Sequence, residues 1–496
     1  MSDQRIVIIG GGLAGLSAGC YALMNGWKTT IVEHNLALGG VCAAWQRGPY
    51  TIDGCIHWLT GGPFMRIYEE LGIIPPVEVR TINHFLTYRN VATGARAEIH
   101  GNFDALRDEF CRVGPDDIDE IDRIIDAADR VAEMSPEIDR PRELSTVRDR
   151  LRSLWDKRGE LGTLLHFRKN VGDYTQHHIR SATLRSLLLN LVPAEAPAFF
   201  LLFLIGYLAK GRLSRPVGGT AAFRDALIER YNRLGGETLT NSTVEEVVVK
   251  EDRACGVRLT DGTLIDGDIV VSTASSPETV LRLLAGQYGA DRLRHRLEHW
   301  KLFEPIALLS YGVARTFSGE PAMLRLDGLE GFKVGERENP QVTLRIFNDE
   351  PSVAPEGHTV VQLLASTDYD WWGERGMRYG AEKDAVAQAG LTLLDRYLPG
   401  IADAVRMTDV ATPLTFWRNA RSWRGAFEGW MPTPDTFFAH VDKALPGLSG
   451  FFMAGQWVEP GGGVPTALMS GRQLVQILCD NEGKEFLHRA EVAAGV

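Results

Sequence analysis

Arg5-Ile6-Val7-Ile8-Ile9-Gly10-Gly11-Gly12-Leu13-Ala14-Gly15 stands almost at the start of the chain, and it decides the fold. An alanine- and leucine-rich stretch, Leu16 to Asn25, follows it. Gly26 closes that stretch, and a second apolar run, Lys28 to Val32, ends on Glu33. The order reads strand, glycine turn, helix, strand, acid. G-x-G-x-x-G between a strand and a helix is the dinucleotide-binding pattern. Gly10 provides the sharp turn, Gly12 the close approach of backbone to a pyrophosphate, and Gly15 and Gly19 tight helix–strand packing. The helix N-terminus offers free N–H groups and a positive dipole end to phosphates. Glu33 stands about 20 residues on, the distance at which an acid meets ribose hydroxyls. These residues alone leave FAD and NAD both open.

The chain has 496 residues, more than one ordinary core holds, so two interleaved domains are expected. Acids outnumber bases, 64 to 53, for a net charge of −11. That excess argues against nucleic acid and against a polybasic grip on anionic lipid. Six scattered cysteines without a C-x-x-C suit a reducing compartment and buried thiols. The chain enters its first strand directly, so no signal peptide is expected, and the protein reads as cytoplasmic.

Residues 37 to 62 read as a glycine-dense loop, and 83 to 100 as two strands. From Asn102 to about Lys210 the periodicity is helical, including Val147 to Trp155. Ala196 to Ala209 holds 14 residues without a charge. That is short of the ~20 that span a bilayer. It is a buried core helix, or else the wall of an apolar tunnel or a patch dipping into a membrane face. Ala221 to Leu234 reads as a helix; Thr243 to Lys250, Ala254 to Thr260 and Leu264 to Ser272 as strands; Ile306 to Val313, Val342 to Phe347 and Thr359 to Leu364 as further strands; and Tyr379 to Tyr397 as a helix.

Near the far end, Phe452-Met453-Ala454-Gly455 reads as a strand ending in glycine. Pro460-Gly461-Gly462-Gly463-Val464-Pro465 then opens a helix that runs to about Cys479. A second helix N-terminus is thus aimed at a ligand. A flavin, whose pyrimidine end becomes negative on reduction, benefits from it, and NAD does not need it. The reading therefore leans to FAD.

With these motifs in hand the chain resembles the FAD-dependent phytoene desaturase family, which includes carotenoid isomerases and retinol saturases. The resemblance covers nearly the whole length. It rests on the glycine turn with Glu33, the pair Gly39-Gly40, Arg215-Pro216-Val217-Gly218-Gly219-Thr220, Val270-Val271-Ser272-Thr273-Ala274, Thr412 to Arg418 with Gly425-Ala426, and the terminal Pro-Gly-Gly-Gly-Val-Pro with Ser470-Gly471-Arg472. It implies an α/β fold whose Rossmann-like FAD-binding domain is built from residues 1–80, 213–290 and 440–496. A mixed-sheet substrate domain (81–101 and 291–439) and a helical lid or membrane-facing subdomain (102–212) are inserted. FAD is expected on Gly10, Gly12, Leu13, Ala14, Gly15, Glu33, His34, Gly40, Val41, Ile56, His57, the backbone of Val247, Gly455, Val464 and Pro465. The implied partner is an apolar small molecule, reached through the helical region by peripheral contact with the inner face of a membrane. The chain departs from the family at Val41, where many members carry arginine, and at Cys55-Ile56-His57-Trp58 and Gln456-Trp457, where many carry smaller residues.

The implied chemistry is desaturation, saturation or cis–trans isomerisation of an unsaturated lipid or isoprenoid by hydride exchange at a flavin. Candidates for moving the partner proton or holding charge are His57 and Arg418. His57 is otherwise a backbone-bonded histidine. Arg418, Arg421 and Arg424 stand among aromatics that suit either a slot holding a cation or carboxylate head, or a half-exposed edge strand. Trp58, Phe199, Phe200, Phe203, Trp417, Trp423 and Trp457 are the expected slot residues. His295 and His299 lack a third ligand nearby, so no metal is expected. An FAD-dependent amine oxidase and a non-redox lipid escort are the alternatives, and oligomeric state stays open.

Overall fold

The structure, a computed structural model, describes residues 4–134, 138–146, 148–149, 155, 161–437 and 439–489. Its first sheet has five parallel strands in the order Glu237–Leu239, Lys28–Val32, Arg5–Ile9, Ile269–Ser272, Phe451–Met453. Parallel neighbours need a crossover, and helix Leu13–Met24 is the one that joins Arg5–Ile9 to Lys28–Val32. Strand Arg5–Ile9 is buried beyond its first residue, as a central parallel strand covered on both faces must be. The final helix, Gly463–Asn481, lies against Leu13–Met24. The helices approach closely where Gly471 has no side chain: a Cβ there would sit 2.7 Å from the Ala18 nitrogen. The expected α/β class and the mixed second sheet are both present.

The second sheet has seven strands, ordered Val405–Ala411, Ile306–Val313, Thr359–Ser366, Gln341–Ile346, Met323–Asp327, His84–Asn90, Arg96–His100. All neighbours are antiparallel except Met323–Asp327 and His84–Asn90. Strand side chains alternate between faces. Leu324, Leu326, Val342, Leu344, Val361 and Leu363 turn one way, into a core shared with helix Tyr379–Tyr397. Met323, Arg325, Asp327, Gln341, Thr343 and Leu364 turn the other way, onto a cavity.

Among the described residues two helices line that cavity's far side, Ala182–Leu189 and Ala198–Ala209, and Phe103–Val113, Ile118–Glu133 and Val171–His178 pack behind them. The charge-free helix Ala198–Ala209 resolves its two readings by serving as both core and wall. Leu201, Leu202, Ile205 and Leu208 are buried against Ile118–Glu133. Phe199, Phe200, Phe203 and Leu204 line the cavity. No residue of the helix is fully exposed, and Phe199, Phe200, Phe203 and Ala209 are half-buried. Among the described residues no helix is long and apolar enough to cross a membrane.

Local differences have local causes. The glycine-dense segment is not all loop: Ala44–Arg47 and Tyr50–Asp53 form a hairpin. Leu264 to Ser272 is two strands. Leu264–Asp266 pairs antiparallel with Arg253–Leu259, while Ile269–Ser272 joins the parallel sheet. Strand Met323–Asp327 went unread because its cavity face carries Arg325 and Asp327 where apolar alternation was expected. The Thr412 to Arg418 stretch is not an edge strand. Pro413–Ala420 is a helix, started by Pro413 and a Thr412–Thr415 capping box. The helix expected over Val147 to Trp155 lies outside the described residues apart from 148, 149 and 155. All six cysteines are free thiols.

Arg472 holds the two ends of the chain together. Its Nε donates to Glu70 at 2.7 Å and its Nη1 to the Ile138 carbonyl at 3.0 Å. Tyr21 also donates to Glu70, at 2.7 Å. Side-chain exposures are 1% and 3%, so loss of Arg472 leaves the buried Glu70 carboxylate with only Arg66, whose half-exposed Nε lies 2.9 Å away, and the more distant His488. Arg472→Met is expected to lower stability by about 3–5 kcal/mol. Chemical denaturation followed by circular dichroism measures this, and an unchanged midpoint would contradict it.

Candidate functional site

A cavity of about 1500 Å³ runs through the molecule. Gly10, Gly12, Leu13, Glu33, His34 and Val244 line one end, Gly455 and Gly461 to Pro465 line its middle, and the helical wall faces the seven-stranded sheet beyond. Both helix N-termini, at Gly12 and at Gly462, open onto it.

The glycine turn is set by two contacts. Gly10 takes φ +98°, a conformation that disfavours any side chain. A Cβ on Gly15 would fall 2.1 Å from the Gly10 carbonyl oxygen, so only glycine lets the helix start this close to the strand. Gly15 thus shapes the turn without lining the cavity. Glu33 is buried, which alone raises a carboxyl pKa. Hydrogen bonds from His34 Nδ1 (2.9 Å), the Asn35 N–H (2.9 Å) and the Gly11 N–H (2.8 Å) outweigh burial and lower it. The carboxylate is therefore charged and fixed beside the turn. The bond to Glu33 raises His34 in turn, and the ring's Nε2 lies 3.0 Å from the Arg418 carbonyl oxygen.

Gly40, Val41, Ile56, His57, Val464 and Pro465 also line the cavity, as does Ala14. Val247 does not. It sits mid-strand opposite Val257, and the strand's entry, Ser242 to Val244, faces the cavity instead. The loop carrying Ile56 and His57 is held by the Arg215-to-Thr220 motif. Thr220 Oγ1 accepts from the Ile56 N–H at 2.8 Å and donates to buried Asp53 at 2.5 Å. Arg215 Nε donates to the His57 carbonyl at 3.1 Å. Burial, then the Arg345 and Arg215 guanidiniums, push the His57 imidazole down to about 4, so it is neutral at neutral pH.

Trp58, Phe199, Phe200, Phe203 and Trp457 line the cavity; Trp417 and Trp423 do not. Helical turning explains the difference. Phe416, Asn419 and Ala420, spaced three and four apart, face the cavity and turn Trp417 and Arg418 away. Arg418 is exposed, and its Nη2 donates to the Tyr379 hydroxyl at 3.0 Å. Arg424 is exposed and pairs with Asp370. Of the three arginines only Arg421 reaches the cavity, near His34. Catalytic duty for Arg418 is therefore not supported by where its side chain lies.

Glu428 is the residue that sequence reasoning missed. It lines the cavity at the second helix N-terminus, where a Cβ on Gly462 would fall 2.6 Å from its Cβ. Burial pushes its carboxyl up to about 7. The signal was one acid inside Ala426-Phe427-Glu428-Gly429-Trp430, an otherwise uncharged stretch. Away from the cavity, Glu120, His166 and His178 bring three ligand atoms within 4.8 Å of one another, a cluster not anticipated from the sequence. Glu120 is already engaged, 2.7 Å from His166 Nε2 and 2.5 Å from the Tyr174 hydroxyl.

The residue pattern of the flavin-containing amine oxidoreductases matches residues 13–479. The chain belongs to that family. It is a flavin-dependent oxidoreductase, and the turn, the fixed Glu33 and the paired helix N-termini fit FAD. Among relatives, a neurosporene-forming phytoene desaturase of Rhodobacter capsulatus is 25% identical, over 96% of this chain and 94% of its own. A chloroplastic prolycopene isomerase of an Oncidium hybrid cultivar is 23% identical, over 95% and 82%. A putrescine oxidase structure shares the fold, with a TM-score of 0.65 at 13% identity over 97% of this chain and 99% of that one.

Glu33→Ala is expected to weaken FAD binding about tenfold or more, from loss of charge-assisted hydrogen bonds. Fluorescence titration of stripped protein with FAD measures it; an unchanged affinity would remove Glu33 from the cofactor site.

Proposed function

We propose that this oxidoreductase acts on C–C and C=C bonds of an unsaturated lipid or isoprenoid. One observation carries the reading: the cavity continues past the second helix N-terminus into a section walled by Phe199, Phe200, Phe203, Leu308 and Leu364. Such a slot holds a long apolar chain beside the cofactor and keeps water out. The names of the relatives, a carotenoid desaturase and a carotenoid isomerase, agree with it.

Bound FAD supplies the hydride acceptor or donor at a fixed place. Backbone N–H groups at Gly12 and Leu13 would hold its phosphates, Glu33 its ribose, and the Gly463-to-Pro465 helix start its ring. Glu428 carries the proton that accompanies each hydride. Its pKa of about 7 lets it take up and return a proton near neutrality. His57 stays neutral and shapes the slot beside the loop.

The putrescine oxidase fold keeps an amine oxidase as the second reading. The lysine at the cavity, Lys301, is side-chain exposed and faces Glu195, which gives that reading little support. A lipid escort would have no use for the fixed Glu33 and the cofactor-sized end of the cavity.

The slot opens beside exposed Pro193 and Ala194 and half-buried Phe437, which packs on Phe199 at 5.7 Å. We infer that this rim makes peripheral contact with a lipid surface. Wild type is expected to co-sediment with neutral phosphatidylcholine vesicles, and the Ala194→Glu, Phe437→Glu double variant to fall to background. Equal sedimentation of both would dismiss the rim.

Anaerobic incubation of flavin-loaded protein with polyenes, unsaturated fatty acids and amines tests the main reading. Flavin bleaching with loss of two hydrogens from a polyene or acyl chain is expected for desaturation; bleaching by amines alone would favour the second reading. Turnover should rise with pH through about 7 as Glu428 ionises to act as base. Glu428→Gln should lower turnover about 100-fold or more and flatten that rise, with FAD affinity unchanged.

A further inference from the structure

Strand Met323–Asp327 points three residues into the cavity, Met323, Arg325 and Asp327. The register places Arg325 opposite Thr343, Thr343 opposite Leu364, and Leu364 opposite Leu308. One row across the sheet thus runs from two leucines through a threonine to an arginine. At ~4.8 Å per strand it is about 14 Å long. The slot therefore has a polar end, and helix Ala182–Leu189 closes it with Ser186, followed by Asn190.

Arg325 differs from the other cations on the cavity. Lys301, Arg337 and Arg282 each pair with a carboxylate, those of Glu195, Glu304 and Glu278. Arg421 stands at the nucleotide end. Arg325 has neutral partners: its Nε donates to Asn190 Oδ1 at 2.9 Å and its Nη1 to Thr343 Oγ1. Among the described residues no carboxylate lies within ion-pair distance of it. Asp327, two residues on, is engaged by the Tyr88 hydroxyl (2.7 Å), Asn90 Nδ2 (2.9 Å) and Ser186. A half-buried guanidinium on a cavity wall without a direct ion-pair partner is costly to keep; desolvation, partly offset by nearby Asp327, lowers its pKa to about 10, which still leaves it charged at neutral pH. Asn190 and Thr343 fix its plane and leave Nη2 for a ligand.

We propose that Arg325 receives the carboxylate end of the substrate, an unsaturated chain with one acidic head. This rests on the reading of the cavity as a slot for an unsaturated chain, and deepens it. A planar guanidinium matches a carboxylate. Nearby Asp327 offsets part of the positive charge, which suits a monoanion and disfavours a phosphate dianion. The carbon chain then lies along Thr343, Leu364 and Leu308 toward the cofactor end. The head fixes which bond along the chain reaches Glu428.

The test compares oleate, oleyl alcohol and octadecene as ligands of flavin-loaded protein, by tryptophan-quenching titration of wild type and Arg325→Gln. Oleate is expected to bind wild type about tenfold or more tightly than the alcohol. Arg325→Gln should erase that gap and leave alcohol binding in place. Equal binding of the three ligands by wild type would overturn the head-group site and leave the apolar slot standing. A gap that survives in Arg325→Gln would also overturn it. If none of the three binds, the slot reading falls with it. The wild-type comparison stands alone if the variant fails to fold.

Discussion

Two helices begin on one cavity, and the rest of the molecule is arranged to let them. A helix start leaves backbone N–H groups without partners, and a buried one requires an acceptor. Here the helices after Gly12 and Gly462 both begin at the cavity wall. The first can do so because the missing Gly15 side chain lets the helix meet the Gly10 carbonyl. The second is held against the first along Ser17, Leu468 and Gly471. Arg472 and Glu70 lock that packing from beneath. Stability and cofactor capture are therefore built from the same contacts.

The substrate side follows a different logic. It is a sheet with one face in a core and the other on a slot, roofed by helices whose own backs are buried. Helix Ala198–Ala209 shows the arrangement at its simplest, with Leu201 and Ile205 inward and Phe199 and Phe203 on the slot. Gly206 presses this helix against Ala128, where a Cβ would lie 2.2 Å from the carbonyl oxygen. The roof is consequently firm, and slot width is set by packing behind it.

Much of this was legible in residue order. The opening turn, Glu33 and the terminal glycines are local signals, because each depends on what one backbone must do next to a ligand. The alternating strands Ile306–Val313 and Thr359–Ser366 and the helix Tyr379–Tyr397 were legible through period alone. What could not be read depends on turning or on partners distant in sequence. Trp417 and Arg418 look like slot residues until the capped helix from Pro413 rotates Phe416 and Asn419 into their place. Glu428 gains meaning only from Gly462, which folds onto it. Val247 lies three residues too deep in its strand, since the strand's entry at Val244 rather than its middle meets the cavity. Strand Met323–Asp327 hid because polar residues occupy its inward-facing positions.

That last strand carries two inheritances on one backbone. Leu324 and Leu326 belong to the core; Met323, Arg325 and Asp327 face the cavity. Pleating keeps the two sets apart, so point changes in one leave the other's packing partners in place. Ligand preference can thus drift along this strand by substitution while the fold is inherited intact. A one-residue insertion has no such freedom: it would send Arg325 into the leucine core and a leucine to the polar end of the slot. Lineages of this fold should therefore diversify here by exchange of side chains and hardly ever by change of length.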